Sequence, residues 1–368
     1  MRNSSELKID KLFLFSVALL TIGGFFIFTS ASLGLLARNG ASFASVSLNQ
    51  LIGLVIGVVA FFVMSKIHYK WLRKNAFYIL TFAIFLNLLL FVPFISLNHG
   101  GASRWIDLGF VTFQPSEFLK IAFIIYFAAW LSGLKDKVSD FKFGILPYII
   151  IVGILGILLL SQPDTDTLVV IAGTGMIMLF ISGAKIRHIA LLILMMLIML
   201  SLVVYFRPYA KDRIMTFLHP TSDIQGSGYQ IQQSLIAIGS GEIVGRGFGQ
   251  SIQKFNYLPE PIGDSIFAVG AEEFGFIGSV ILLFFFLIFF IRSIKIAVNS
   301  PDIFGGLTAI GIAILIIVES FMNISSMLGI IPLSGMPLLF VSHGGTALII
   351  TLGATGIIAN ISKYQNNK

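Results

Sequence analysis

The sequence contains no cysteine, which excludes disulfides, thiolate nucleophiles and cysteine-bound zinc. Its five histidines are scattered without HxxxH or HxxE spacing, so the usual helical transition-metal motifs are missing as well. Charge is also scarce. Asp, Glu, Lys and Arg make up 11% of the 368 residues, where ordinary globular chains run to about a quarter. So few charges cannot cover a water-facing surface, which excludes soluble enzymes, nucleic-acid-binding domains and disordered scaffolds. What the chain has instead is 57% hydrophobic residues, with as many Phe as Gly (36 each), in long uninterrupted runs. It is a polytopic membrane protein.

A bilayer core takes about 20 mostly apolar residues per helix. The runs predict ten spans, at 12–36, 47–65, 76–97, 117–134, 144–161, 166–183, 188–206, 266–291, 303–324 and 337–361, the sixth being the shortest. The first is too long for a signal-peptide core and reads as an uncleaved first helix. The expected fold is therefore all-α, a single membrane domain over residues 1–368. With the N-terminus in the cytoplasm, 16 of the 24 lysines and arginines fall in inside segments, seven outside, and Lys120 within a span. Five of the outer seven lie in one long loop, and long loops translocate largely regardless of charge. Both termini are expected in the cytoplasm. The net charge of +7 is then a topology signal rather than a nucleic-acid footprint. No 34- or 40-residue repeat is visible, and the two halves do not echo each other.

Residues 207–265 form the long loop, between spans seven and eight on the expected outer face. Loops of that length are usually functional or disordered, and the apolar content and low charge density here count against disorder. YQIQQSLIAIG (229–239) reads as an amphipathic helix lying on the membrane. GRGFG (245–249) lacks the preceding buried strand of a phosphate-binding loop and reads as a turn-former.

Charged groups at membrane depth are costly and tend to mark function. Here they gather at the outer ends of spans. Arg104 lies in an outer loop. Glu117 and Lys120 follow at i,i+3 spacing, able to pair on one helix face, whether for chemistry or simply to neutralise two awkward charges. SQPDTDT (161–167) sets Asp164 and Asp166 in a short turn, which is also ordinary turn and helix-cap chemistry. Glu319 falls near the outer end of span nine, and His343 near the outer start of span ten, beside two glycines. Asp264 ends the long loop against a strongly apolar span. A carboxylate there keeps access to an aqueous sugar while partial burial adjusts its pKa, although an Asp before a helix is also a common cap. Glu272 and Glu273 are expected to face protein or the interface rather than do chemistry. Together these groups suit a substrate with a lipid tail, a diphosphate and a sugar head, and they suit a lipid transporter equally.

Five segments carry a family resemblance: GASRWIDLGFVTFQPSEFLK (101–120), SQPDTDT (161–167), GSGYQIQQSLIAIGSG (226–241), GRGFGQSIQKFNYLPEPIGDSIFAVGAEEFGFIG (245–278) and IPLSGMPLLFVSHGGT (331–346). In this order they resemble the SEDS family (shape, elongation, division and sporulation), which comprises FtsW, RodA and SpoVE. The QSIQKFNYLPEP stretch resembles FtsW and its sporulation relatives more than RodA. IGD stands where the family often has HTD, and SHGG where it often has SYGG. The resemblance implies a peptidoglycan glycosyltransferase of the bacterial cytoplasmic membrane. Such an enzyme polymerises lipid II beside a class B penicillin-binding protein and other divisome or elongasome membrane proteins, with no nucleic-acid partner. It implies Asp264 as the catalytic carboxylate, with Glu117, Lys120, Arg104, Arg213, Asp164 and His343 as substrate-binding candidates. A divalent cation, Mg2+ or Mn2+, bridging the diphosphate is the one cofactor to expect, without a dedicated cage in the sequence and without an organic cofactor. Two alternatives remain: a lipid II flippase, which would need polar groups at mid-depth that the spans hardly supply, and a non-catalytic scaffold for the transpeptidase.

Overall fold

The computed structural model describes residues 8–37, 43–92, 96–99, 102–107, 112–219 and 226–365. The apolar runs fold as helices α1 (Lys11–Ser32), α2 (Phe43–Lys66), α3 (Tyr69–Leu88), α4 (Pro115–Leu134), α5 (Leu146–Ser161), α6 (Thr165–Ile181) and α7 (Ile186–Phe206). The long loop contributes α8 (Pro208–Leu218) and α9 (Ser227–Ser240), and the chain ends with α10 (Ile266–Val298), α11 (Ile303–Met327) and α12 (Gly345–Ser362). Polar side chains start several of them by taking orphan backbone donors: Asp10 accepts from Phe13 N at 2.9 Å and Asp302 from Gly305 N at 2.8 Å.

Among the described residues, nine helices are long and apolar enough to cross a membrane. The tenth apolar helix, α6, has 17 residues, about 26 Å at 1.5 Å per residue, just short of a bilayer core of about 30 Å. The bundle centre is α4, α11 and α12, the most buried of the spans, whereas α7 buries only Leu192 and rides at the rim. α2 packs along α12, α3 along α4, and α10 against both α1 and α11.

Three predicted boundaries are corrected. The third span starts earlier than expected, at Tyr69, because His68 caps it and its first-turn cations sit at the bundle end. It finishes at Leu88, and Ser96–His99 is strand β1, not helix. β1 pairs antiparallel with β2 (Ala102–Asp107), which pairs with β3 (Thr112–Phe113), a small three-stranded sheet that the all-α expectation omitted. The tenth span begins at Gly345 rather than 337. The residues before it, rich in Pro and Gly, run without regular structure, and Asn323 of α11 takes the Met336 carbonyl at 2.8 Å. The eighth span continues past 291 to Val298 and is broken inside.

The break is at Gly275, whose φ of 67° and ψ of −164° are not helical. The loop segment 242–247 is stitched into it: Phe276 N donates to Glu242 O (2.9 Å), Ile277 N to Ile243 O (3.0 Å), Arg246 N to Glu272 O (3.0 Å) and Gly247 N to Glu273 O (2.9 Å). Backbones approach so closely that a Cβ on Gly245 would lie 2.1 Å from Glu273 O, and one on Gly275 would lie 2.3 Å from Gly245 N. Only glycine fits both places. GRGFG is thus a strap fastening the long loop to the first part of α10, directly after Asp264.

Candidate active site

Two ionic groups lie at the end of the bundle that carries Asp264. The first is closed. Pro115 opens α4 and puts Glu117 and Lys120 one turn apart. Lys120 Nζ donates to Glu117 Oε1 (2.8 Å) and to both carboxylate oxygens of Glu319 on α11 (2.7 Å each). Lys120 is 1% exposed and Glu319 0%. All three ammonium hydrogens are used, the condition under which a buried charge is tolerated. Asp164 belongs with this group as its electrostatic neighbour. It is buried, accepts from Thr167 N at 3.4 Å as the cap of α6, and its Oδ2 has no hydrogen-bond partner among the described residues.

The second group is assembled from irregular segments and is open on one side. Gly263 N and Ser265 N both donate to Glu260 O at 3.1 Å, closing the turn that presents Asp264. Asn323 holds this turn by donating to the Asp264 carbonyl at 2.8 Å, with the same amide that binds Met336. Asp166, in the first turn of α6, accepts from Arg213 Nη1 of α8 (2.8 Å) and from Gly335 N (3.2 Å). The Arg213 guanidinium lies over the Tyr209 ring, 4.4 Å from its centre. Gly335 sits in the middle: a Cβ built on it would meet Arg213 Nη2 at 3.6 Å, Asp264 Oδ2 at 3.8 Å and Asp166 Oδ2 at 3.9 Å. Arg104 on β2 donates to the carbonyl of Pro163, in the turn that carries Asp166.

Burial pushes the Asp264 carboxyl up to about 7, aided by the neighbouring charge of Glu260 and opposed by Arg213. Its protonated and ionised forms are therefore both accessible near neutrality. For Arg213, burial works against the charge, and Asp166 together with Tyr209 and Asp264 more than offsets it, so the guanidinium is held more firmly protonated than usual.

Of the residues singled out from sequence, Asp264, Arg213 and Arg104 come together in the open group, while Glu117, Lys120 and Asp164 lie in the closed one. His343 joins neither group through its side chain. Its ring stacks on Phe28 (5.7 Å between centres), its backbone N–H donates to Ile262 O (2.7 Å), and burial lowers its pKa, leaving it neutral. Asp264 does not cap α10: Ser265 occupies that place, and its side chain makes no cap hydrogen bond. The sequence placed Asp166 and Glu319 among the outer charges without giving them a role, and it missed Tyr209 and Glu260. Glu319 had a readable signal, since a lone carboxylate in one apolar span needs a cation such as the lone Lys120 in another. Glu272 and Glu273 are, as expected, engaged with protein: Glu273 pairs with buried Lys254 (2.7 Å) and Glu272 with Arg246 (3.4 Å).

Comparison with known proteins bears on this geometry. The family model for FtsW, RodA and SpoVE, described as cell cycle protein, matches residues 10–367. The chain is 37% identical to stage V sporulation protein E of Bacillus subtilis over 355 residues, 96% of each chain. It is 40% identical over 309 residues to a probable peptidoglycan glycosyltransferase FtsW of Geobacter sulfurreducens, covering 84% of this chain and 82% of the relative. Among solved structures, a chain of a peptidoglycan synthase complex described as coordinating polymerisation and crosslinking superposes with a TM-score of 0.78 at 25% identity. That match covers 97% of this chain and 99% of the other.

Proposed function

We propose, for a chain that belongs to the FtsW/RodA/SpoVE family of cell cycle proteins, a glycosyl transfer in which Asp264 is the base. The protein is a multi-pass membrane enzyme, a peptidoglycan glycosyltransferase that works in division or cell-shape maintenance. Its substrate, in our reading, is lipid II, met at the outer face of the bacterial cytoplasmic membrane, with the Asp264 end outside and both termini in the cytoplasm. The reading is supported above all by one arrangement: Asp264, Asp166 and Arg213, from three separate stretches of chain, converge on the bare backbone of Gly335.

The chemistry follows from those groups. The acceptor sugar 4-hydroxyl attacks C1 of the donor MurNAc and inverts the α-linked carbon to β. The lipid diphosphate leaves with the electron pair of the broken bond. Ionised Asp264 takes the hydroxyl proton, and a carboxyl near 7 is strong enough as a base without being permanently protonated at neutral pH. Arg213 and Arg104 supply donors for the diphosphate. The closed group beneath, Glu117–Lys120–Glu319, is the rigid floor that fixes α4 against α11. A divalent cation is the cofactor we propose. Among the described residues no cluster of three metal-binding side chains exists. Asp166 nevertheless offers a carboxylate of the kind by which magnesium usually joins substrate phosphates, leaving Asp264 free as the base. When bound there, the ion would neutralise charge on the leaving diphosphate. The partner we propose is a class B penicillin-binding protein supplying the transpeptidase, among other membrane proteins of the division or elongation machinery.

The test uses purified protein with its class B partner, lipid II and Mg2+, with glycan chains read on a gel. Asp264→Ala is expected to fold, to bind the partner and to make no glycan, losing the roughly 10²–10⁴-fold that a positioned base contributes. Undiminished polymerisation by that variant would remove Asp264 from the mechanism.

A further inference from the structure

The strap that enters the break in α10 has a second property. Its tip is apolar and bare: Ile243 is 66% exposed, Val244 73% and Phe248 51%. Between residues 243 and 252 the only charge is Arg246, and it is tied back to Glu272 at 3.4 Å. A loop tip in water would not ordinarily display these side chains on a backbone this firmly fixed.

Helix length sets the level of the tip. After its break at Gly275, α10 continues as regular helix to Val298, about 35 Å at 1.5 Å per residue, enough to cross a hydrocarbon core of about 30 Å. Its cations, Arg292 and Lys295, mark the end away from Asp264. Measured from Lys295, Gly275 lies about 30 Å along the helix, one core thickness away. The break therefore falls at the edge of the hydrocarbon nearest Asp264, and the strap, hydrogen-bonded to residues 272–277, lies at that same edge. The tip also continues the lipid-facing surface of the helices. The Phe248 ring lies 6.5 Å from those of Phe26 on α1 and Phe274 on α10, and Phe26 and Phe276 are 58% and 67% exposed.

We infer that residues 243–248 dip into the bilayer surface as a lipid-contacting wedge. Aliphatic and aromatic side chains placed at the boundary between headgroups and acyl chains gain from burial there, while a cation tied at the rim stays hydrated. The occupant is the lipid surface itself, since the tip is level with the hydrocarbon edge and joins the lipid-facing sides of α1 and α10 without a step. The wedge holds the strap, and through it the stretch of α10 after Asp264, at a set height above the membrane. This inference does not depend on the role given to Asp264.

The absence of cysteine makes the test direct. Val244→Cys and Phe248→Cys, each the sole cysteine of the full chain, are spin-labelled and reconstituted in vesicles of phosphatidylcholine and phosphatidylglycerol. Phe284→Cys, on the exposed side of α10, serves as the lipid reference, and Asp140→Cys, exposed in the turn before α5, as the aqueous one. Both tip labels are expected to be relaxed several-fold more strongly by oxygen than by a water-soluble nickel chelate, as at Phe284→Cys. Nickel accessibility like that of Asp140→Cys at both positions overturns the inference. Protection from nickel that arises only when the class B partner is added also overturns it, and assigns the tip to a protein.

Discussion

The two ionic groups at the Asp264 end contain the same kinds of residue and are built in opposite ways. Glu117, Lys120 and Glu319 stand on two regular helices, fully buried, with every ammonium hydrogen placed. Asp264, Asp166 and Arg213 stand on a turn, a helix start and a loop helix, and Arg213 and Asp166 are each 19% exposed at the side chain. In the closed group Lys120 has no hydrogen left to donate to a substrate, and one lysine faces two carboxylates. The open group keeps an oxygen of Asp264 facing Gly335 and leaves a carboxyl that titrates near neutrality. Ion pairing inside a helix bundle thus stabilises a position, whereas pairing across loops leaves groups free to act.

Substitutions can break this contrast. Its largest expected effect is on stability: Lys120→Met strands two carboxylates in the bundle and is expected to cost about 3–5 kcal/mol, seen as a fall in the melting temperature in detergent. Arg213→Met, at the part-buried open group, strands one carboxylate rather than two and is expected to cost less, about 1–3 kcal/mol, in the same measurement. It should also slow glycan synthesis by about 10–100-fold, the worth of a charged hydrogen bond at about 1.5–3 kcal/mol. An equal loss of stability in both variants would erase the distinction. The pH profile sharpens it further. Asp264 is raised to about 7, so its base form is full above that pH and is lost as pH falls through it. Polymerisation at saturating substrate is expected to drop about tenfold per pH unit below about 6, and a flat profile from 5 to 8 would contradict the assignment. The smallest effect belongs to Gly335→Ala. Its methyl group meets Arg213, Asp264 and Asp166 only at ordinary contact distances, so the melting temperature should hold while the added carbon takes space beside them from the substrate and slows turnover by a few fold.

Much of this was readable from the sequence. Apolar runs located the helices because a bilayer admits only helices and closed barrels, and unbroken apolar runs this long belong to helices. The Glu117–Lys120 spacing predicted its own ion pair. Asp264 was legible as a carboxylate at the end of a long loop. Local pattern could not supply tertiary closure. Asp164 and Asp166 are two residues apart in one turn, yet the first caps its helix among buried groups and the second meets Arg213. Which does which depends on where α8 lands. The unwound stretch before Gly345 looked like helix because its apolar residues are as dense as those of a span. Its prolines and the side chain of Asn323 decide otherwise. The three short strands fell below any periodicity that composition reveals.

The Lys120 triad also sets an order of events during synthesis. Glu319 is made 199 residues after Lys120, so α4 must enter the membrane long before its second counter-charge exists. A bare lysine at that depth would resist insertion by a few kcal/mol. Glu117, one turn away on the same helix, travels with it and neutralises it from the outset. When α11 arrives, Glu319 adds its carboxylate to a pair already formed, so the last spans to be made lock the fourth in place.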